Sequence, residues 1–385
     1  MRVLLLWHAA ADPHNRPIFD ALIRRSGLEA LILAPRRVED RLVHWRLDRP
    51  VVRRNPATGS SYRIEPVTAF RAHRIGHLWY PGLPVHLLRF RPEVIHLASG
   101  EAAQAVSVET MLARPLFAPR ARVVLMMIQN IVVDYRWPWP VLERFVLRRA
   151  DRPVAYSPGA LAVLRRRGVR GPIPIQPFGL DARAFRPGRP SPIRRRMGPG
   201  APVIGWVGRM FLGKGLQVLL EASARMQRPH RLLIVGDGPR RDEERRHAER
   251  LRIADRVTWV GPATPDAMPG LYAAMDIYTH PAIARPSDLP AWKEQFARTL
   301  PEAMLSGVPV VGSRSGEIPW VIGDGGLIVP ERNSAALARA LDRLVSSRAR
   351  RHALGRQGRA RALAHFTCDV AAAGLMRIWR DVASG

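Results

Sequence analysis

EQFARTLPEAMLSGVPVVGSRSG, residues 294–316, holds two carboxylates, Glu294 and Glu302, with seven residues between them. A short apolar turn, Ala303 to Gly307, follows, and then a β-branched run, Val308 to Gly312, that reads as a buried parallel strand. Thr299 stands three residues before Glu302, the spacing of a helix N-cap with its reciprocal glutamate, and Pro301 falls in the first turn. The spacing therefore predicts a helix from about Leu300 whose free N–H groups form an anion site beside the two carboxylates. At this point two readings stand: a ligand site, or a capping box with Glu294 as a solvated loop charge.

The pattern E-x7-E followed by E-A-M-x-x-G-x-P-V-V resembles the GT4 family of retaining glycosyltransferases. The resemblance implies an α/β chain of the GT-B fold, with two Rossmann-like doubly wound domains facing a central cleft. It also implies that Glu302 holds the ribose hydroxyls of a nucleotide-sugar donor and that Glu294 lies against the sugar. A ligand carrying both phosphate and hydroxyls would use the cations, carboxylates and helix end together.

At 385 residues and 47% apolar content, the chain is long enough for two domains with their own cores. The N-terminal run Met1 to Trp7 is too short for a signal peptide, and no stretch approaches the roughly 20 apolar residues of a membrane span. A single cysteine, Cys368, excludes an intramolecular disulfide and a cysteine metal cluster. A cytoplasmic protein is expected, with the inner membrane face as a second place that the charge of +29 allows. Only two of the 61 basic residues, Lys214 and Lys293, are lysines, so much of that charge reflects a bias across the whole chain. No RNA-binding signature with interleaved aromatics occurs, and specific nucleic-acid binding is not expected.

Alternating strands and helices run through the first half. Met1–Trp7 reads as a strand, 18–25 as a helix, 30–33 as a second strand, 92–97 and 122–128 as further strands, and 141–150 as a basic amphipathic helix. Ligand contacts in a doubly wound sheet come from the loops after its strands. That makes His14, Asn15 and Arg16, and then Gln129 and Asn130, the acceptor candidates. The family's glycine-rich first loop is absent, and Gln129-Asn130 stand where many relatives have a histidine. Phe178 replaces the asparagine of the family's N-G-V-D turn. Residues 36–90 carry little readable pattern.

The expected domains are 1–186 for the acceptor, 187–201 as a proline-, glycine- and arginine-rich linker, 202–363 for the donor, and 364–385 as a helix returning to the first domain. The second domain opens with a strand ending in G-R-x4-K-G, Gly208 to Gly215. This motif resembles the family's donor-diphosphate pair, which implies Arg209 and Lys214 as the cations on the leaving group. Two cations at a strand-to-helix junction, with glycines for close backbone approach, fit that chemistry. In a chain that writes nearly every cation as arginine, Lys214 suggests a need for a compact point charge. The strand at 231–235 ends in Gly236-Asp237-Gly238, which in the family lies beside the nucleotide base. Trp320 closes a G-x-I-P step that ends in glutamate in the family, and residues 281–293 are a candidate lid or acceptor contact.

The catalytic set implied by the resemblance is Glu294, Arg209 and Lys214. The implied donor contacts are Gly208, Gly236, Gly238, Phe296, Ala297, Thr299, Leu300 and Glu302. The reaction implied is retaining transfer of a sugar from a nucleoside diphosphate to a hydroxyl of a glycan, a lipid-linked molecule or a small molecule. No cofactor and no metal are expected: two cations serve the leaving group, and the chain has no D-x-D triplet. A non-catalytic scaffold of the same fold and a nucleotide-sugar epimerase are the alternatives.

Overall fold

The computed structural model describes residues 1–40, 43–71, 77–100, 102–197, 200–284 and 292–385. Its contacts divide the chain into one unit of Met1–Gly179 with Cys368–Gly385 and a second of Leu180–Thr367.

The first unit comprises β1 (Arg2–Leu6), α1 (Pro17–Ile23), β2 (Glu29–Pro35), β3 (Arg37–Asp40), β4 (Val43–Arg46), β5 (Val51–Asn55) and β6 (Ser60–Val67). It continues with α2 (Leu83–Phe90), β7 (Val94–Gly100), α3 (Ala105–Phe117), β8 (Arg122–Met127), α4 (Trp139–Arg149), β9 (Arg152–Ala155) and α5 (Pro158–Arg166). Its main sheet runs β5-β6-β2-β1-β7-β8-β9, parallel except for the edge strand β5, with β3 and β4 as a separate antiparallel pair. Val3 to Leu6 pair on both sides and are buried, which is why the run is continuously apolar. The C-terminal helix, Cys368–Ser384, packs on α1, and its buried Trp379 donates from Nε1 to His96 Nδ1 on β7 (3.2 Å). No helix among the described residues is long and apolar enough to cross a membrane.

The second unit comprises α6 (Pro192–Met197), β10 (Val203–Val207), α7 (Leu216–Arg225), β11 (Arg231–Val235), α8 (Arg241–Arg250), β12 (Val257–Gly261), α9 (Met268–Tyr272) and β13 (Ile277–His280). Then come α10 (Thr299–Leu305), β14 (Val310–Ser313), α11 (Ile318–Ile322), β15 (Gly326–Val329), α12 (Ser334–Val345) and α13 (Arg348–His365). The sheet is wholly parallel in the order β12-β11-β10-β13-β14-β15. Counted within the unit this is 3-2-1-4-5-6, the doubly wound order whose ligand crevice opens between the first and fourth strands, here β10 and β13.

The boundaries differ from those expected. The segment 187–201 is not a free linker: it contains α6, whose Arg194 donates to the Asp276 carboxylate (2.8 Å) and the Ala274 carbonyl (3.1 Å). Its docking is polar, so it leaves no apolar period to read. The chain leaves the second unit after Thr367 and not at 363, because Phe366 packs on Phe296 and Trp320 and its carbonyl accepts from Leu180 N–H. Beside β9, Ile175 makes an isolated parallel bridge to Ala155.

Candidate functional site

The crevice of the second unit is built by glycines before any charged group enters it. After β10 the chain turns through Gly208, whose N–H donates to Val235 O, while Met210 N–H donates to Asp237 O (2.8 Å). This binds the end of β10 to the turn after β11. Gly236 there has φ +129°, and a Cβ on it would collide with the Gly208 carbonyl. A Cβ on Gly238 would lie 2.6 Å from Met210 N. Gly215, at φ +67°, starts α7 and would likewise strike the Pro281 carbonyl after β13. Glycine is required because three backbone segments meet where side chains would separate them.

Into this frame come the charges. Lys214 Nζ lies 2.6 Å from Glu294 Oε2 and 5.3 Å from the Trp292 ring centre. The same carboxylate oxygen is 2.8 Å from His280 Nε2, at the end of β13. His280 is fully buried, which pushes its pKa down, against Glu294, whose carboxylate favours the charged ring. A neutral imidazole that donates from Nε2 to Glu294 leaves Nδ1 as acceptor, facing the Tyr278 hydroxyl at 3.2 Å. Burial on its own would raise the Glu294 pKa, but the Lys214 ammonium and the His280 N–H outweigh it and hold the carboxyl at about 2. Glu294 is held from behind as well: its carbonyl accepts from Glu317 N–H (3.0 Å), and a Cβ on Gly316, at φ +49°, would collide with that carbonyl.

Glu302 lies in the opposite environment. Tyr272 donates its phenol to Oε2 (2.9 Å), and Arg298 Nε is 3.3 Å from Oε1. Burial raises this carboxyl above its ordinary range, with Arg298 and the Tyr272 hydrogen bond opposing only in part. Two glutamates eight positions apart are thus driven in opposite directions.

The capping box expected from Thr299 and Glu302 does not form. Arg298 occupies the N-cap position with no side-chain cap bond, and the Thr299 hydroxyl instead accepts from the Tyr278 phenol (2.7 Å). Ala297, at φ +52°, turns the chain sharply into the helix, which places Arg298 where the threonine was expected. The helix is only seven residues long, so little of an anion site follows from its dipole.

Of the remaining expected residues, Arg209 is exposed just past Gly208, and the rings of Phe296, Trp320 and Phe366 form one aromatic cluster with centroids 5.5–6.1 Å apart. Leu300 and Ala297 are buried. The candidates at 281–293 lie largely outside the described residues. His280 was missed by the sequence reading; its only signal is its place as the last strand residue before the loop that carries Glu294.

In the first unit, the expected loop residues make hydrogen bonds within their own loop. Asp12 accepts from both His14 N–H and the His14 ring (2.8 Å), Asn15 Nδ2 donates to Ala9 O (2.9 Å), and Arg16 donates to Ala10 O and Ala11 O. The 3-10 turn His8–Ala11 carries these carbonyls, of which Ala9 O also accepts from Asp12 N–H (3.2 Å), and side chains from the following turn, Pro13–Asn15, and from Arg16 bond back to them. Gln129 Oε1 accepts from the Tyr135 hydroxyl (3.1 Å), and Asn130 is half-buried beside it. Phe178 stacks on Trp7 at 4.6 Å and tilts against Tyr156 at 5.4 Å.

The sequence model of the family described as Glycosyl transferases group 1 matches residues 194–361. The D-inositol 3-phosphate glycosyltransferase of Nocardia farcinica is 32% identical over 240 residues, 58% of this chain and 50% of the relative. The GDP-mannose-dependent alpha-mannosyltransferase of Mycolicibacterium smegmatis is 28% identical over 316 residues, 76% of this chain and 73% of the relative. The chain spans about half the length of several curated relatives that it matches. Sucrose-phosphate synthase from Thermosynechococcus elongatus shares the fold with a TM-score of 0.75 at 20% identity, over 100% of this chain and 99% of that one.

Proposed function

We propose that this chain, whose residues 194–361 match the group 1 glycosyl transferases, moves a hexosyl group from a nucleoside-diphosphate sugar to an acceptor hydroxyl, with retention at the anomeric carbon and without a metal ion. The observation that carries this reading is the cluster of Lys214, Glu294 and His280 at the crevice between β10 and β13, beside the exposed Arg209. Cleavage of the bond from the anomeric carbon to phosphate leaves negative charge on the diphosphate. Arg209 and Lys214 stabilise that charge as it develops. The acceptor oxygen bonds to the same face of the anomeric carbon, and its proton passes to the departing phosphate oxygen. No side chain then has to serve as base, which fits the amides Gln129 and Asn130.

Glu294, kept ionised, accepts hydrogen bonds from sugar hydroxyls and fixes Lys214. His280 positions Glu294 from its buried side. Glu302 accepts from the ribose hydroxyls. Since the Phe296 ring is packed and Ala297 and Leu300 are buried, these three meet the donor through backbone. Gly208, Gly236 and Gly238 allow the nucleotide to approach the chain. The acceptor is polyhydroxylated; the Nocardia relative is named for D-inositol 3-phosphate, which makes that compound the first to try.

The test is turnover of UDP-, GDP- and ADP-hexoses with and without EDTA, with the product anomer read by NMR. An α-linked product from an α-linked donor, unaffected by EDTA, is expected. An inverted product would refute retention, and loss of turnover with EDTA would refute metal independence.

A further inference from the structure

Large apolar side chains left in solvent are unevenly distributed. Among the described residues only Leu363 represents the second unit, whereas the outer layer of the first carries Val85 and Leu88 on α2, Leu112 and Leu116 on α3, and Trp137 and Val141 at the start of α4. Leu116 is 75% exposed and Trp137 83%. The three helices belong to one layer: α3 packs on both α2 and α4, and Leu87, Met111 and Val146 enter a single apolar cluster with the sheet. The exposed residues lie at helical spacing on the opposite side, Val85 three before Leu88 and Leu112 four before Leu116.

The three helices expose charge of one sign, and the loop leading to Trp137 adds one exposed carboxylate, Asp134. The helices' own carboxylates, Glu109 and Glu143, are buried, the first accepting from Tyr80 N–H (2.8 Å) and the second paired with Arg167 (3.0 Å). Their exposed charges are Arg89, Arg144, Arg148 and Arg149. Helix α8 shows what an ordinary solvated face of this arginine-rich chain looks like. It mixes arginine with exposed Asp242, Glu243 and Glu249, its preceding residue Arg240 pairs with Glu243 (2.7 Å), and it exposes no large apolar residue. The α2–α3–α4 face is therefore not a sample of the chain's general bias.

We infer that this face docks on an anionic lipid bilayer. A bilayer takes apolar side chains below its headgroups while cations remain at headgroup level, and an exposed tryptophan is the residue expected at that boundary. A second copy of the face would set arginine against arginine. The inference is independent of the catalytic reading, since it needs no donor and no turnover.

Co-sedimentation of the full chain with vesicles tests it. Binding is expected to vesicles of phosphatidylcholine mixed with phosphatidylglycerol, weak or none to phosphatidylcholine alone, and less at high salt. Changing Arg144, Arg148 and Arg149 together to Gln should weaken binding about a hundredfold, roughly fivefold for each arginine near the surface. The same charge change on α8, at Arg245, Arg246 and Arg250, should alter it by only a fewfold. Leu116→Ser with Trp137→Ser should weaken the binding that persists at high salt. Thermal midpoints equal to wild type would show that these variants fold. Equal loss from the α4 and α8 sets would reduce the effect to net charge and overturn the inference. So would equal binding to neutral vesicles, or a concentration-dependent dimer abolished by Leu116→Ser.

Discussion

The two units carry sheets of nearly the same order and differ in what their first crevice does with its polar groups. After β1, the loop 8–16 turns His14, Asn15 and Arg16 onto its own backbone and Asp12. After β10, the loop 208–215 is closed by glycines, which leaves Arg209 exposed and Lys214 to meet a carboxylate 80 residues away. A polar side chain that completes its own loop has a local structural use. A charge gathered across the sheet by backbone that only glycine permits has no such local use.

The largest expected effect is on the second crevice. Lys214→Ala should lower kcat/KM about 10²–10³-fold. It also leaves Glu294 buried without its cation, at a stability loss of about 3–5 kcal/mol. His14→Ala, Asn15→Ala and Arg16→Ala should each keep turnover within about threefold and lose about 1 kcal/mol per hydrogen bond removed. Steady-state kinetics with urea melts reads both, and an Arg16→Ala enzyme as inactive as Lys214→Ala would erase the distinction.

Glycine substitutions sharpen it at smaller scale. Gly316→Ala drives a Cβ into the Glu294 carbonyl, so it should cost about 1–3 kcal/mol and reduce kcat/KM by about tenfold or more through displaced geometry. Gly27→Ala, at φ +78° with nothing within 4 Å, should cost about 1 kcal/mol and leave activity unchanged. If both variants lose activity alike, Gly316 is not positioning Glu294.

The smallest effect is in acid. Glu294 titrates at about 2 in the folded protein, below its ordinary 4.5, so the native state binds fewer protons there than the unfolded chain. Its stabilisation is complete above about pH 4.5 and is lost as the pH falls toward 2. Glu302, raised by burial, has the opposite sign: its contribution is full below its unfolded pKa and lost as the pH rises through the folded one. The stability difference between wild type and Glu294→Gln should therefore shrink as urea melts move below pH 4.5. A difference constant with pH would contradict the pairing with Lys214 and His280.

Much of the second unit is legible in the sequence because its strands are continuous apolar runs and its turns are glycines. Glu294 and Lys214 were singled out by the resemblance of two motifs to the family's, and the structure brings them to 2.6 Å. Helix α13 was not found. Its sequence, RARRHALGRQGRARALAH, has no apolar stripe, because it packs through Gly355 and Gly358 against the Gly307 and Gly325 carbonyls. That backbone-to-backbone contact supports α10 and Glu302, and no hydrophobic period can announce it. The Thr299 cap failed for a related reason: Tyr278, on strand β13, takes the hydroxyl. Phe178 and Trp320, which look like lost site residues beside the family pattern, are packed into aromatic clusters.

The most direct test of the central claim is calorimetric titration of UDP-, GDP- and ADP-hexoses into wild type, Lys214→Ala and Arg16→Ala. Binding of one nucleotide class to wild type and Arg16→Ala, weakened about tenfold or more in Lys214→Ala as a charge-assisted contact is lost, is the predicted result. Unaltered binding by Lys214→Ala, or loss of binding in Arg16→Ala instead, would contradict the assignment of the donor to the crevice between β10 and β13.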